Sequence, residues 1–444
     1  MTLRIYRAAW VLPISAPAIA QGAVAVEASR IAWVGPASDA PQGLVVDLGN
    51  AVLMPGLVNT HAHLELTAMR GFLEDLEFRP WILRLTKSRE QVMTAERRRA
   101  AARLGLAEGL LAGITTYGDV SDSGESLSAM VEMGVRGVMY REVFGPHPSQ
   151  AAEAVAGLRA EVERWRAGAT DRVSVGVSPH APYTVSDALF RATADLARDE
   201  GLPLTVHIAE SAAEQELVVD GAGVFADAWR SRGIETVSRG ASPIALLQSL
   251  GVLDTRALLV HAVRVSASDL ELVRVSGAAV AHCPASNAKL GHGVAPVLEM
   301  LEAGIPVGLG SDSVASSNRM DLLDDARLAV FQQRARSGRA DAPTASRMLH
   351  LATQGGAQAL GMADRIGTLE VGKAADLTAF ALEPVRDGPG YQPADTLVYG
   401  AAGRRARLVV VDGVELVRDG RLLRDMRVDL ECAAEVGRHL AANG

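Results

Sequence analysis

Cysteine is nearly absent from this chain: Cys283 and Cys432 are its two, and no Cys-x-x-Cys pair occurs. That excludes a disulfide framework and suits a reducing cytoplasm. Aromatic residues make up only 4%, and no stretch resembles a stacking platform for single-stranded nucleic acid. Positive charge is not in excess. The net charge is -8 and the pI is near 5.7, which argues against nucleic acid or a membrane surface as partner. No run of about 18 apolar residues occurs, so no membrane span is expected. No Gly-x-Gly-x-x-Gly follows an early strand, which removes the main argument for an open dinucleotide-binding sheet.

What the chain does have is ordinary globular composition, with 444 residues, 48% of them hydrophobic and 22% charged. That length allows one large domain and a smaller one. Arg4 and Arg7 before the apolar run Ala8 to Leu12 imitate a secretion signal, but Pro13 and Pro17 interrupt the apolar core such a signal needs. Gly22-Ala-Val-Ala-Val-Glu and Arg30-Ile-Ala-Trp-Val-Gly read as the two strands of a hairpin. The segment is therefore read as folded β structure, with a signal peptide as the alternative.

From about residue 51, short apolar runs alternate with longer stretches of helical period. The runs are Val52 to Val58, Ile114 to Asp119, Gly137 to Val143, Val173 to Ser178, Pro203 to Ile208, Ala257 to Val263, Ala278 to Cys283 and Pro306 to Gly310. Ala95 to Leu111 and Ala151 to Arg166 are examples of the helical stretches. Repeated βα units of this number predict an α/β chain whose strands close into a (β/α)8 barrel over residues 56–364. Residues 1–55 and 365–444 are β-like, with turns such as Val411-Asp-Gly and Arg418-Asp-Gly, and are expected to pair into one small β-sandwich.

The histidines carry the functional signal. His61, His63, His147, His180, His207, His261 and His282 lie at or just past the C-terminal ends of expected strands, the face on which (β/α)8 enzymes build their sites. His61 and His63, two apart on a strand, point to one side. With His207 and Asp312 they offer three imidazoles and a carboxylate, a set suited to zinc or iron(II) with a position open for water. Glu210, three residues after His207, reads either as a proton carrier or as an acid favoured in a helix's first turn. His261 reads either as the group that orients the attacking water or as a core histidine.

These motifs resemble the amidohydrolase superfamily, in the branch of cytosine-, guanine- and adenosine-type deaminases and triazine hydrolases. The resemblance covers nearly the whole chain. It rests on Pro55-Gly-Leu-Val-Asn-Thr-His-Ala-His, Ser178-Pro-His-Ala-Pro-Tyr, His207-Ile-Ala-Glu, His282-Cys-Pro-Ala-Ser-Asn-Ala-Lys-Leu-Gly and Gly310-Ser-Asp-Ser, with Gly367-Thr-Leu-Glu-Val-Gly-Lys-Ala-Ala-Asp-Leu behind them. It implies His61, His63, His207 and Asp312 as metal ligands, Asp312 also as proton acceptor, Glu210 as the proton shuttle and His261 as the group orienting the nucleophile. His180 matches the residue that touches the purine ring. Relatives with two metals bridge them through a modified lysine. Lys87, Lys289 and Lys373 are this chain's lysines, and none is placed to do so. One divalent metal per chain is expected, zinc first and iron(II) second.

Within the branch, His61-Ala-His-Leu-Glu-Leu-Thr, Trp81-Ile, Arg141-Glu-Val-Phe-Gly and Ser242-Pro-Ile-Ala-Leu-Leu are most similar to aminodeoxyfutalosine deaminases of menaquinone biosynthesis. The S-adenosylhomocysteine and methylthioadenosine deaminases share Pro284-Ala-Ser-Asn, Lys289-Leu-Gly-x-Gly and Ala295-Pro-Val. They use two arginines for the amino-acid carboxylate, and only Arg141 has a counterpart here. Glu65, Trp81, Arg141 and His292, with His180, are the candidate substrate contacts. The expected protein is a cytoplasmic, homo-oligomeric (dimeric) deaminase of a small 6-aminopurine nucleoside, with a triazine-type hydrolase or a non-catalytic binding barrel as alternatives.

Overall fold

A computed structural model describes residues 3–400 and 403–443. Residues 1, 2, 401, 402 and 444 of the expected small domain lie outside the described residues. In chain order the strands are β1 Arg4–Val11, β2 Ile19–Glu27, β3 Arg30–Pro36, β4 Leu44–Asp47, β5 Ala51–Pro55, β6 Leu57–Ala62, β7 Ile114–Ser121, β8 Arg136–Val143 and β9 Val173–Pro179. They continue with β10 Thr205–Ile208, β11 Leu258–His261, β12 Ala279–His282, β13 Val307–Leu309, β14 Leu377–Ala381, β15 Leu408–Val411, β16 Val414–Arg418 and β17 Arg421–Leu422. The helices that bear on the site are α1 Phe78–Val92, α2 Ala95–Leu111, α3 Glu125–Met133, α4 Ala151–Gly168, α5 Asp187–Glu200 and α6 Ala212–Asp220. No helix among the described residues is long and apolar enough to cross a membrane.

β6 to β9 form one parallel four-stranded sheet and β10 to β13 another, each in sequence order. Isolated parallel bridges join them at both seams: Val177 to Leu204 links β9 with the approach to β10, and Ala62 to Asp312 links β6 with the end of β13. At the second seam the Asp312 N–H donates to the His61 carbonyl at 3.0 Å. Apart from Arg141 on β8 and Ser174 on β9 these strands are buried, as expected for parallel strands with both faces covered. Seven of the eight apolar runs coincide with these strands to within two residues at each end.

The first run, Val52 to Val58, is not one strand. The chain breaks at Gly56, so β5 joins a different sheet from β6. Gly56 is packed so closely on β7 that a Cβ there would overlap the Thr115 side chain. Its N–H donates to the Asp376 carbonyl at 2.9 Å, which starts the change of direction.

Both chain ends supply strands to one nine-stranded sheet, ordered β17-β16-β15-β14-β5-β1-β2-β3 with β4 alongside β1. The run weighed as a signal segment lies largely inside β1, paired antiparallel with β2 from Arg4↔Val26 to Val11↔Ile19. The Asp-Gly dipeptides close the β15–β16 and β16–β17 hairpins, with Asp412 at φ 53° and Asp419 at φ 48°, as two-residue hairpin turns require. The C-terminal segment departs from the β-like expectation, because Arg427–Asn443 is a helix. Its Val436 and Leu440, one turn apart, are buried with Leu66, Met69 and Trp81. That spacing is helical, and the turn signals upstream masked it.

One buried ion pair ties the parallel strands to the composite sheet. Arg136, at the start of β8, has a side chain only 1% exposed. Its Nε donates to Asp376 Oδ2 at 2.7 Å and its Nη2 to Asp376 Oδ1 at 3.1 Å and Asp412 Oδ1 at 3.2 Å. Removing one partner of such a pair leaves an uncompensated buried charge. Arg136→Ala should therefore cost about 3 to 5 kcal/mol in urea denaturation; a loss under about 1 kcal/mol, the range of exposed pairs, would show that the bridge carries no weight.

Candidate active site

The site is assembled where β6, β10 and β13 end. His61 and His63 close β6, and the Asp119 carboxylate accepts the Leu64 N–H at 2.8 Å, fixing the turn that follows. Asn59 and Ser311 exchange hydrogen bonds at 2.8 and 3.0 Å, locking the end of β6 to the loop that carries Asp312. His61 Nε2 lies 3.2 Å from His207 Nε2 and 3.3 Å from Asp312 Oδ1; His63 Nε2 lies 3.3 Å from His207 Nε2 and 3.6 Å from Asp312 Oδ1. Metal bonds of about 2.0–2.2 Å place the corners of a tetrahedron about 3.3–3.6 Å apart. These four distances are of the size that separates neighbouring ligands of one ion.

The electrostatics agree. Burial first, then the neighbouring imidazoles, push His61 and His63 down to about 4 and His207 down to about 3, so all three are neutral near pH 7. Burial alone would raise Asp312, but the hydrogen bond and charge of His61 hold its carboxyl well below the usual range. Neutral imidazoles and an ionised carboxylate are the forms that bind a metal. Asp312 Oδ2 accepts from Ser286 Oγ at 2.6 Å and Ser316 Oγ at 2.9 Å, which turns Oδ1 toward the imidazoles. His207 Nδ1 lies 3.1 Å from the His180 carbonyl, which can only accept; Nδ1 therefore carries the proton and Nε2 keeps its lone pair.

Beside this cluster, Glu210 is 4% exposed. Its Oε1 lies 3.4 Å from His261 Nε2 and 3.3 Å from His292 Nε2, and Tyr183 donates to its Oε2 at 3.4 Å. Burial would raise this carboxyl, yet His261 and His292 hold it at about 2. His261 Nδ1 donates to Asn287 Oδ1 at 2.9 Å, which leaves its Nε2 facing the site. His261, Ala209 and Asp312 have φ of 74°, 52° and 56°. Left-handed backbone at non-glycine residues is costly, and here it gathers at the residues the site needs.

The structure thus brings together His61, His63, His207, Asp312, Glu210, His261 and His292, with the His180 ring 4.9 Å from that of His207. Three expected contacts are engaged with other residues, although Glu65 shares a small cavity with His63 and Glu142. Glu65 is buried in a network, accepting from Ser123 Oγ at 2.7 Å and pairing with Arg98 at 3.3 Å. Trp81 packs among Leu66, Met69 and Leu73. Arg141 lies over the Trp165 ring of α4 at 5.7 Å and donates to the Glu142 carbonyl. Neighbours on a strand face opposite sides, and on β8 it is Glu142 that faces in, its Oε1 3.9 Å from His180 Nε2. Of the other strand-end histidines, His147 is exposed and caps the Pro148–Gln150 turn, while His282 is fully buried. Asn287, Glu142 and Glu214 were not singled out from sequence, although Asn287 stands inside the quoted His282 motif.

The sequence pattern of the amidohydrolase family matches residues 52–416. The chain belongs to the amidohydrolase family. It is 32% identical over 417 residues to a 5-methylthioadenosine/S-adenosylhomocysteine deaminase of Moorella thermoacetica, covering 93% of each chain. Its structure is similar to that of an adenosine deaminase from Xanthomonas campestris with bound zinc, at TM-score 0.88 and 29% identity over 99% of this chain and 98% of that one. It also shares the fold of an aminofutalosine deaminase from Helicobacter pylori, at TM-score 0.80 and 20% identity over 93% and 100% of the two chains. This amidohydrolase is accordingly a hydrolytic deaminase with a histidine-rich site for a divalent metal.

A metal bound to the folded state alone adds stability by mass action. The purified protein should carry a divalent metal, and stripping it with a chelator should lower Tm, with recovery on re-addition. At free metal a hundredfold above Kd the difference is about 2.7 kcal/mol. An unchanged Tm after verified removal would contradict the assignment.

Proposed function

We propose that this amidohydrolase hydrolytically deaminates a 6-aminopurine nucleoside carrying a 5′-thioether, as the names of its relatives suggest, with His61, His63, His207 and Asp312 holding one metal. The observation that supports it is Glu210: a buried, ionised carboxylate between two imidazoles, beside four converging ligand atoms. We further infer that the two parallel sheets form one closed (β/α)8 barrel over 56–364, with 1–55 and 365–444 as a composite β domain. Both seam bridges support that reading. Two free cysteines suit a cytoplasmic enzyme, which we propose to be a homo-oligomer.

The reaction exchanges an exocyclic amine for oxygen: water adds to the ring carbon and ammonia departs. A zinc or iron(II) ion in the seat supplies Lewis-acid activation of the attacking water. Asp312 Oδ1 takes a proton from that water, and His261 Nε2 orients it. Glu210, ionised at the start, passes one of the water's two protons to the ring nitrogen beside the amine, and the proton taken by Asp312 passes to the amine, which leaves as neutral ammonia. His180 borders the seat from the side of β9 and packs against the ring.

Aminodeoxyfutalosine, the substrate first suggested by the sequence, takes second place, because the aminofutalosine deaminase shares only the fold. Ammonia release should be measured on methylthioadenosine, S-adenosylhomocysteine, adenosine and aminodeoxyfutalosine, and chloride release on a chlorotriazine. The thioether nucleosides should give the highest kcat/KM, and no turnover of any aminopurine would refute the reading. Glu210→Gln should keep its metal while kcat falls at least ~100-fold, the scale of general acid–base catalysis. Normal turnover in that variant would reduce Glu210 to a helix-start residue.

A further inference from the structure

The turn that carries Glu210 is held by a second acid. Glu214, in the first turn of α6, is fully buried. Its Oε1 accepts the Ala209 N–H at 2.7 Å and its Oε2 accepts the Glu210 N–H at 2.8 Å. Ser211 at the helix N-cap takes the Glu214 N–H at 3.2 Å. In sequence Ser211-x-x-Glu214 reads as a capping box, in which the acid would return to the N–H of Ser211 itself. Here the carboxylate reaches past Ser211 to the two preceding residues.

That reach has a geometric consequence. The two N–H groups belong to the peptide planes on either side of the Ala209 Cα. Fixing both fixes φ and ψ of Ala209, which sits at φ 52° in the left-handed region where a non-glycine residue does not rest unsupported. The Ala209 carbonyl is held as well, accepting from Val263 at 3.0 Å and Arg264 at 2.8 Å. With these planes set, the Cα–Cβ bond of Glu210 is aimed, and its carboxylate meets His261 and His292. Burial pushes the Glu214 carboxyl up to about 8 while its two N–H donors favour the charged form. Both oxygens accept in either state, so the clamp does not depend on which prevails.

We infer that Glu214 is a positioning residue for the proton shuttle, acting only through Glu210. This rests on the reading of Glu210 as the proton carrier. A residue that acts through another loses its effect once the other is gone, so the test is a double-mutant cycle.

Glu214→Ala should lower kcat at least ~10-fold, part of the general acid–base contribution, with KM and metal content little changed. In the Glu210→Gln background the same substitution should cost less than about twofold. Glu214→Gln, which keeps the side chain's shape but sets an NH2 group against an N–H donor, serves the same cycle if the alanine variant does not fold. Crystal structures of these variants should show the Glu210 carboxylate withdrawn from His261 and His292. Equal losses in both backgrounds, loss of metal in step with activity, or unchanged kcat with Glu210 in place would each overturn the inference. If Glu210→Gln alone turns over normally, the shuttle reading fails by itself, and the position of Glu210 in the Glu214→Gln crystal decides the clamp.

Discussion

At the ends of three strands, His61 and His63 each lie 3.2 to 3.6 Å from both His207 and Asp312 in the interior, and the protein has to compensate for that crowding. Imidazole nitrogens and a carboxylate brought this close leave buried acceptors short of donors, at a cost of about 1–3 kcal/mol each. A cation at the centre converts the same arrangement into a stabilising one. The rest of the site follows from that need. Ser286 and Ser316 hold the far oxygen of Asp312, and the His180 carbonyl holds the far nitrogen of His207.

Bringing those atoms together constrains the backbone in turn. β6 must lie beside the chain leaving β13, which the Asp312-to-His61 hydrogen bond and the Asn59–Ser311 latch secure. The strand ends must also turn sharply, and His261, Ala209 and Asp312 take left-handed conformations to do so. At the other end of the strands, Arg136 binds β8 to Asp376 and Asp412 of the composite sheet. The strained end is the working end, and the well-bonded end anchors it.

How much of this was legible in the sequence depended on period and spacing. His61-x-His63 could be read because two-residue spacing on a strand has one meaning, and α2 appears at the bounds the helical period gave, Ala95–Leu111. The histidine positions pointed to one end of the strands before any contact was known. Arg141 and Glu142 show where such reading ends. Alternation says that one faces inward, but two adjacent charged residues do not say which, and only the packing of Arg141 on Trp165 settles it. Gly56 was hidden inside an apolar run because the break arises from contact with Thr115, a residue far along the chain. Glu214 drew no attention in the sequence, because its bonds depend on the left-handed turn at Ala209.

The central claim is that three imidazoles and one carboxylate bind a single ion. X-ray absorption fine structure at the metal edge of the purified protein measures that shell directly. The account predicts a nitrogen and oxygen shell at about 2.0–2.2 Å, with the outer-shell scattering of three imidazole rings. A metal–metal vector at about 3.5–4 Å, the separation in two-metal sites, or a sulfur shell near about 2.3 Å would contradict it.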